Sequence, residues 1–310
     1  MATILAVDVG GTQIRVAAYQ NGSAEPTTIN KVATRGEGSV SDRILATIRK
    51  TWPIAGNVDK IVIALPGPLD PAQGIIFSAP NLPEWKNYAI GPEIEQVFGV
   101  RTLIGNDANL AALGEWKYGS GIGHNDLAYF TVSTGIGSGI ISGGNLIVGR
   151  YGLAGEIGHI LLEPNGPPCS CGQRGHVESF CSGLSIVKFA KQQISHGRKS
   201  SLANLADFSA KDLSQAAQQG DALSREAVER AGRYLGYAMV SVVHTFNPSI
   251  LIFGGGVSQN GDLLFDPIRE TLQDQVMDPT YIKDLIITSA SLGDNAGLMG
   301  AHALGLLPDQ

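Results

Sequence analysis

Three glycine-rich segments hold residue types suited to binding phosphate. Asp8-Val9-Gly10-Gly11-Thr12 lies between two apolar runs. Ser133-Thr134-Gly135-Ile136-Gly137-Ser138-Gly139 repeats the design with hydroxyls among the glycines, and Gly254-Gly255-Gly256 follows a buried-looking apolar run. Without a Cβ, such backbone can turn its N–H groups onto an anion at close range. A carboxylate beside the first turn would suit a hydrated Mg²⁺ near Asp8. Taken alone, that first segment reads more simply as an ordinary hairpin turn. Three such turns in strand contexts shift the reading toward a nucleotide. A dinucleotide fingerprint is excluded, because a strand rather than a helix follows Gly11. A P-loop is excluded by the lack of any Gly-Lys pair, and the kinase signatures H-R-D and D-F-G are absent.

A second constellation is Gly105-Asn106-Asp107-Ala108-Asn109, directly after a strand-like run and before a helical one. Phosphoryl transfer needs mainly positioning, charge neutralisation and one carboxylate to orient and deprotonate the nucleophile. Asp107 stands at a strand end that suits this task, although an aspartate there can also simply cap a helix. A third constellation has the spacing His-x9-Cys-x-Cys-x4-His over His159, Cys169, Cys171 and His176. Two thiolates and two imidazoles form an acceptable tetrahedral zinc set. The intervening loop carries Pro164, Gly166, Pro167, Pro168, Gly172 and Gly175, with few apolar side chains, so a metal crosslink would supply its order. The competing reading leaves the cysteines as reduced thiols and His176 on the surface. Cys181 falls outside the pattern and reads as a small buried apolar residue.

The elements that must hold these groups alternate between strand and helix. Strands are expected over 3–8 and 14–19, 60–65, 100–104, 128–133 and 139–142, 250–253 and 285–288. Helices are expected over 39–52 with Ser41 as cap, from Asn109 to Trp116, and over 222–243, 262–276 and 297–304. Residues 70–87, rich in Pro, Gly and Asn, read as a structured loop. Gly232 and Gly236 lie one turn apart and would let another helix pack closely. Each half opens with strand, glycine turn, strand, so the chain reads as layered α/β.

Composition sets the outer bounds. The chain has 310 residues with 43% hydrophobic and 16% charged, enough apolar material for sizeable cores. Its net charge of −6 argues against a nucleic-acid surface. The charge-free stretches Leu127–Gly149 and Tyr234–Gly261 are broken by glycine, and the second also by Asn247-Pro248, so neither reads as a membrane span. Three cysteines give no disulfide framework, and residues 1–8 show no basic leader. A cytoplasmic location is expected.

Together, the D-x-G-G-T segment, Gly105–Asn109, the Thr134 turn, Gly155-Glu156-Ile157-Gly158-His159 and Cys169-Ser170-Cys171-Gly172-Gln173-Arg174-Gly175 resemble the ROK family of repressors and sugar kinases. The resemblance runs from residue 4 to about 305, and the most similar members are bacterial ATP-dependent glucokinases. It implies a two-domain actin-like, hexokinase-type (ribonuclease-H-like) fold with a cleft between the domains. Residues 1–120 plus 297–310 would form the smaller domain and 121–296 the larger, zinc-bearing one. It implies Asp107 as the catalytic base, with Gly67, Asn81, Asn106, Glu156, His159 and Glu178 on the sugar. Asp8, Gly10, Gly11, Thr12, Thr134, Gly135, Gly255 and Gly256 would face ATP and Mg²⁺. The family's third cysteine is His176 here, and the usual first glycine of the second phosphate turn is Ser133. The expected reaction is phosphoryl transfer from ATP to the 6-hydroxyl of glucose, with a homodimer as the expected assembly. The alternatives are another hexose (N-acetylglucosamine, N-acetylmannosamine, fructose or allose), polyphosphate as donor, or a sugar-sensing regulator. With Asp8 so near the start, the extra N-terminal DNA-binding domain of such regulators is not expected.

Overall fold

The computed structural model describes residues 3–20, 22–54, 56–79 and 82–308; Asn81, expected on the sugar side, lies outside them. The first part of the chain builds β1 (Thr3–Val9), β2 (Gln13–Gln20), β3 (Thr28–Ala33), α1 (Val40–Thr51), β4 (Val58–Leu65), β5 (Leu69–Asp70), β6 (Ile75–Ala79), β7 (Leu82–Tyr88), α2 (Ile90–Phe98), β8 (Thr102–Asn106) and α3 (Asp107–Tyr118). The remainder builds β9 (Leu127–Val132), β10 (Ile136–Ser142), β11 (Asn145–Leu146), α4 (Glu178–Cys181), α5 (Gly183–Ser195), α6 (Ala210–Gln218), α7 (Ala222–Phe246), β12 (Ile250–Gly254), α8 (Asp262–Gln275), β13 (Ile286–Ser289) and α9 (Ala296–Leu306).

The two parts repeat one topology. One 5-stranded sheet runs β3-β2-β1-β4-β8 and the other β11-β10-β9-β12-β13. In each, the opening hairpin is antiparallel and the later strands are parallel. Strand alternation then divides the apolar residues between layers. Leu5, Val7 and Val9 of β1 face a core shared with α1 and α2, while Ile4 and Ala6 face α3 and α9. Likewise Ala128, Phe130 and Val132 of β9 join a core with α5–α8, while Leu127 and Tyr129 face inward. The inner layer between the sheets is therefore α3 and α9.

Small residues make that inner layer possible. A Cβ on Gly300 of α9 would lie 1.8 Å from the Leu110 carbonyl oxygen, and one on Gly114 of α3 would lie 2.8 Å from the Ala296 oxygen. The helices cross with backbone against backbone. The close α7–α8 packing expected at Gly232 and Gly236 is present, since a Cβ at either would come within 2.5 Å of α8. Pro267 sits inside α8.

Local chemistry corrects several boundaries. Ser39, not Ser41, caps α1, with its side chain accepting from Asp42 N–H in a capping box. The Ser41 hydroxyl instead donates to Glu93 at 2.8 Å. The expected loop of 70–87 contains most of a small antiparallel sheet in the order β5-β6-β7. Its apolar anchors Ile76, Leu82 and Trp85 lack a clean alternation but still bury into the first core. Helix α3 starts at Asp107 rather than Asn109, with Asn106 as its cap.

Candidate active site

Strand β8 runs directly into α3, and the junction places Asn106 and Asp107 at the floor of a small cleft. The Asn106 carboxamide oxygen accepts from Ala108 N–H at 3.0 Å and Asn109 N–H at 3.2 Å, satisfying two N–H groups that a helix start leaves open. Its Nδ2 donates to the Gly67 carbonyl at 3.4 Å, tying α3 to the turn after β4. Gly67 has φ of +93°, a conformation that favours glycine. With Asn106 as the cap, Asp107 Oδ1 only shares the Ala108 N–H, at 2.8 Å.

The cleft is lined by Gly67, Asn106, Asp107, Asn109, Ser138 and Glu156, among others. The Asp107 carboxyl is open to water there. Protein nevertheless crowds it, and this loss of hydration pushes its pKa up to about 6. The Ala108 N–H opposes the shift, while the charges of Asp8 and Glu156 add to it. A carboxyl near 6 is ionised at neutral pH and still basic enough to take a proton from an alcohol. Asn109, which sequence reasoning did not single out, contributes a buried carboxamide oxygen with no hydrogen-bond partner among the described residues.

The second glycine turn is built into this region from the other side. The buried Glu178 carboxylate accepts from the Ile136 N–H at 3.0 Å and from the Ser170 hydroxyl. A Cβ on Gly135 would sit 2.5 Å from that carboxylate, so a side chain there would displace it. Glu178 thus joins the Gly135 turn to the Cys/His loop, and it is absent from the lining around Asp107. The resemblance placed Glu178 on the sugar; neither helix α4 nor this bridging role was legible.

Thr134 and Gly256 line a separate cleft of about 890 Å³. Its walls are α5 and α6 with the Asp207–Asp212 segment, including Leu184, Phe208 and Lys211. These walls were missed, although Ser209 and Asp212 form a capping box that the S-x-x-D spacing could have signalled. Gly255 has φ of +83° and no space for a Cβ, which would meet the Val132 oxygen at 2.4 Å. Gly256 is open, with nothing within 4 Å of where a Cβ would stand.

The first turn is arranged differently. Gly11 and Thr12 are exposed between β1 and β2, and the Thr34 hydroxyl holds the Gly10 carbonyl at 2.7 Å. Asp8 pairs with Arg15 across the hairpin, with both contacts on Oδ2. Burial raises the Asp8 pKa and Arg15 opposes that shift. The other oxygen faces α9, where a Cβ on Gly297 would lie 2.7 Å from Oδ1.

His159, Cys169, Cys171 and His176 come together as the spacing suggested. Their candidate ligand atoms all lie within 4.8 Å of one another. The Sγ–Nδ1 distances are 3.5 Å for Cys169–His159 and 3.3 Å for Cys171–His176. Adjacent S and N ligands around a tetrahedral zinc lie about 3.5 Å apart, given its usual bond lengths. Burial pushes the Cys169 thiol up to about 11, so a thiolate there calls for a cation. Cys169 also lies 3.6 Å from Glu178, and Cys181 is wholly buried.

A doubled five-stranded α/β unit of this order, with an aspartate at a strand–helix junction, defines the actin-like, hexokinase-type architecture of sugar kinases. Residues 4–306 match the ROK family, and the chain belongs to it. It is 34% identical to a glucokinase of Thermotoga maritima, over 97% of this chain and 96% of the other. A crystal structure of a ROK family glucokinase from Streptomyces griseus, in complex with glucose and AMPPNP, superposes with a TM-score of 0.81. That protein is 32% identical, covering 97% of this chain and 98% of its own. A ROK family transcriptional regulator, a homologue of the Escherichia coli MLC protein, is 29% identical with a TM-score of 0.88. The match covers 98% of this chain and 77% of the regulator.

Proposed function

We propose that the protein is an ATP-dependent glucokinase, transferring the γ-phosphoryl group of ATP to the 6-hydroxyl of glucose. The observation that carries the reading is Asp107 in the lining of the cleft, its pKa raised to about 6, beside Asn106 and Glu156. Full-length similarity to glucokinases and the glucose- and AMPPNP-bound relative support it. Asp107 takes the 6-hydroxyl proton as the O6–phosphorus bond forms and the bond from phosphorus to the ADP oxygen breaks. Asn106, Glu156 and the Gly67 turn offer the mixture of donors and acceptors that vicinal hydroxyls require. His159, Glu178 and Asn81 belong to the sugar side in the same reading.

The nucleotide would lie in the cleft of Thr134 and Gly256, with its phosphates toward Gly135, Gly255 and the Asp8–Thr12 turn. Asp8 would hold the Mg²⁺ that accompanies ATP, and the ion would neutralise phosphate charge there. The loop site would hold Zn²⁺ through His159, Cys169, Cys171 and His176, fixing the ring orientation of His159. The division into 1–120 with 297–310 and 121–296, a homodimer and a cytoplasmic location complete this reading. Among the described residues, no helix is long and apolar enough to cross a membrane.

The likeness to a transcriptional regulator supports a second reading, sugar binding without transfer. A coupled ADP-release assay over a hexose panel separates the two. Glucose is expected to be the preferred acceptor, and Asp107→Ala is expected to lose about 10²–10⁴-fold in rate. A variant keeping most of its rate would overturn the assignment. Metal analysis is expected to find about one zinc per chain in the wild type, as a four-ligand structural site requires. Cys169→Ser is expected to lose metal and glucose affinity together.

A further inference from the structure

Glu115 lies about two turns along α3 from Asp107 and is fully buried, at 0% exposure. Isolating a carboxylate from water is costly unless hydrogen bonds replace its hydration. Here they do. Oε2 accepts from Ser120 N–H at 2.8 Å and from the N–H and hydroxyl of Ser291, both at 3.2 Å. Oε1 accepts from Leu292 N–H at 2.8 Å. No cation pairs with it among the described residues.

The identity of those donors matters more than their number. The chain passes from α3 into β9 through 119–126, and returns from β13 to α9 through 290–295. Ser120 belongs to the outward connector, and Ser291 and Leu292 to the return. Both passages between the two sheets are therefore held by one carboxylate, and the Ser120 hydroxyl stitches them again by donating to Ser289 O at 2.9 Å. Space is reserved for this grip: a Cβ on Gly119 would lie 2.1 Å from Oε2. Trp116 adds a further tie, donating to the His124 carbonyl at 2.7 Å.

Glu115 also shares its helix with Asp107. Eight residues at about 1.5 Å each put the two about 12 Å apart along α3. The outward connector leads through β9 to the Ser133–Gly135 turn, and the return leads into α9, whose Gly297 abuts Asp8. We propose that Glu115 is a positioning residue, the pivot that keeps Asp107 in register with the two phosphate-side turns when the cleft closes. This rests on the kinase reading above. A charge held by neutral N–H and O–H donors suits the task, because such bonds reorient over small angles without breaking an ion pair.

The test compares Glu115→Gln with wild type, and adds Gly119→Ala, whose methyl group would displace the carboxylate from outside. Glutamine keeps the volume but replaces one acceptor oxygen with an N–H₂ group that faces donors. Three quantities are read: glucose Kd without nucleotide, kcat, and the fall in radius of gyration by small-angle scattering on adding glucose with AMPPNP. Both variants are expected to lose about tenfold or more in kcat, keep glucose Kd within about threefold, and lose the compaction. A folded Glu115→Gln or Gly119→Ala protein with wild-type kcat and wild-type compaction overturns the proposal. So does a loss confined to thermal stability, which is the signature of a purely structural carboxylate. If Glu115→Gln does not fold, Gly119→Ala decides alone. A wild type that binds glucose and AMPPNP but releases no ADP defeats the kinase reading instead, and the compaction measurement then still decides the pivot.

Discussion

The two opening hairpins share a topology and differ in the residues paired near the turn. In the first, Asp8 pairs with Arg15; in the second, the equivalent step pairs Thr131 with Gly137. The first hairpin thus places an ion pair against the start of α9, near Gly297. The second uses the position for approach: a Cβ on Gly137 would lie 2.9 Å from the Ala108 methyl, and one on Gly139 would lie 2.7 Å from the Ala112 methyl. That lets α3 lie directly on β10 with Asp107 at its tip. One copy of the motif handles charge, and the other seats the helix that carries the base. Duplicated topology therefore does not imply duplicated chemistry, because a few residues near each turn decide which helix can reach it.

The strongest way to break this contrast is to give the second hairpin a side chain. Gly137→Val is expected to push Ala108 and displace Asp107, costing about 1–3 kcal/mol of stability through overpacking. Displacing a catalytic group by about 1 Å can cost about 10²-fold in rate, so kcat should fall well beyond what thermal unfolding explains. An unchanged kcat in the folded variant would show that α3 tolerates a wider spacing.

The reverse experiment removes the charge pair from the first hairpin. Arg15→Met leaves the half-buried Asp8 carboxylate without its partner, an expected loss of about 1–3 kcal/mol in denaturant titration. The effect should shrink in acid, where Asp8 is protonated. A variant as stable as wild type at neutral pH would show that Arg15 contributes nothing net.

The smallest expected effect sharpens the link between the hairpins. Asp107 must be ionised to act as a base, so kcat/KM for glucose should fall as pH drops below about 6. The nearby Asp8 charge raises that value, and removing it favours the ionised form. Asp8→Asn should therefore move the acid limb to lower pH by about a few tenths of a unit, whatever it does to the maximal rate. A limb that stays in place would mean that Asp107 is insulated from the first hairpin.

How much of this was legible from the chain differs between residues. The glycine turns, the Asn106-Asp107 junction and the Cys/His spacing were readable because each is a local pattern: a turn needs its glycines within a few residues, and a metal loop needs its ligands at short intervals. The fold class followed from the alternation of strand and helix and from the resemblance those motifs carry. The start of α3 was expected at Asn109 and lies at Asp107, because Asn and Asp both suit a helix start and only the backbone geometry made Asn106 the cap.

Other assignments depended on residues far apart in sequence. Glu178 meets the Ile136 N–H across 42 positions, and Glu115 meets Leu292 across 177. No local spacing encodes such pairs, because a carboxylate on a helix reads as solvated until the fold brings N–H donors to it. The raised pKa of Asp107 belongs to the same class, since it depends on how much protein surrounds the group and where Asp8 and Glu156 fall. Local backbone chemistry, written in the order of residues, established which groups were available. Which of them lost their water, and which found partners, only the packing of α3 and α9 between the two sheets could decide.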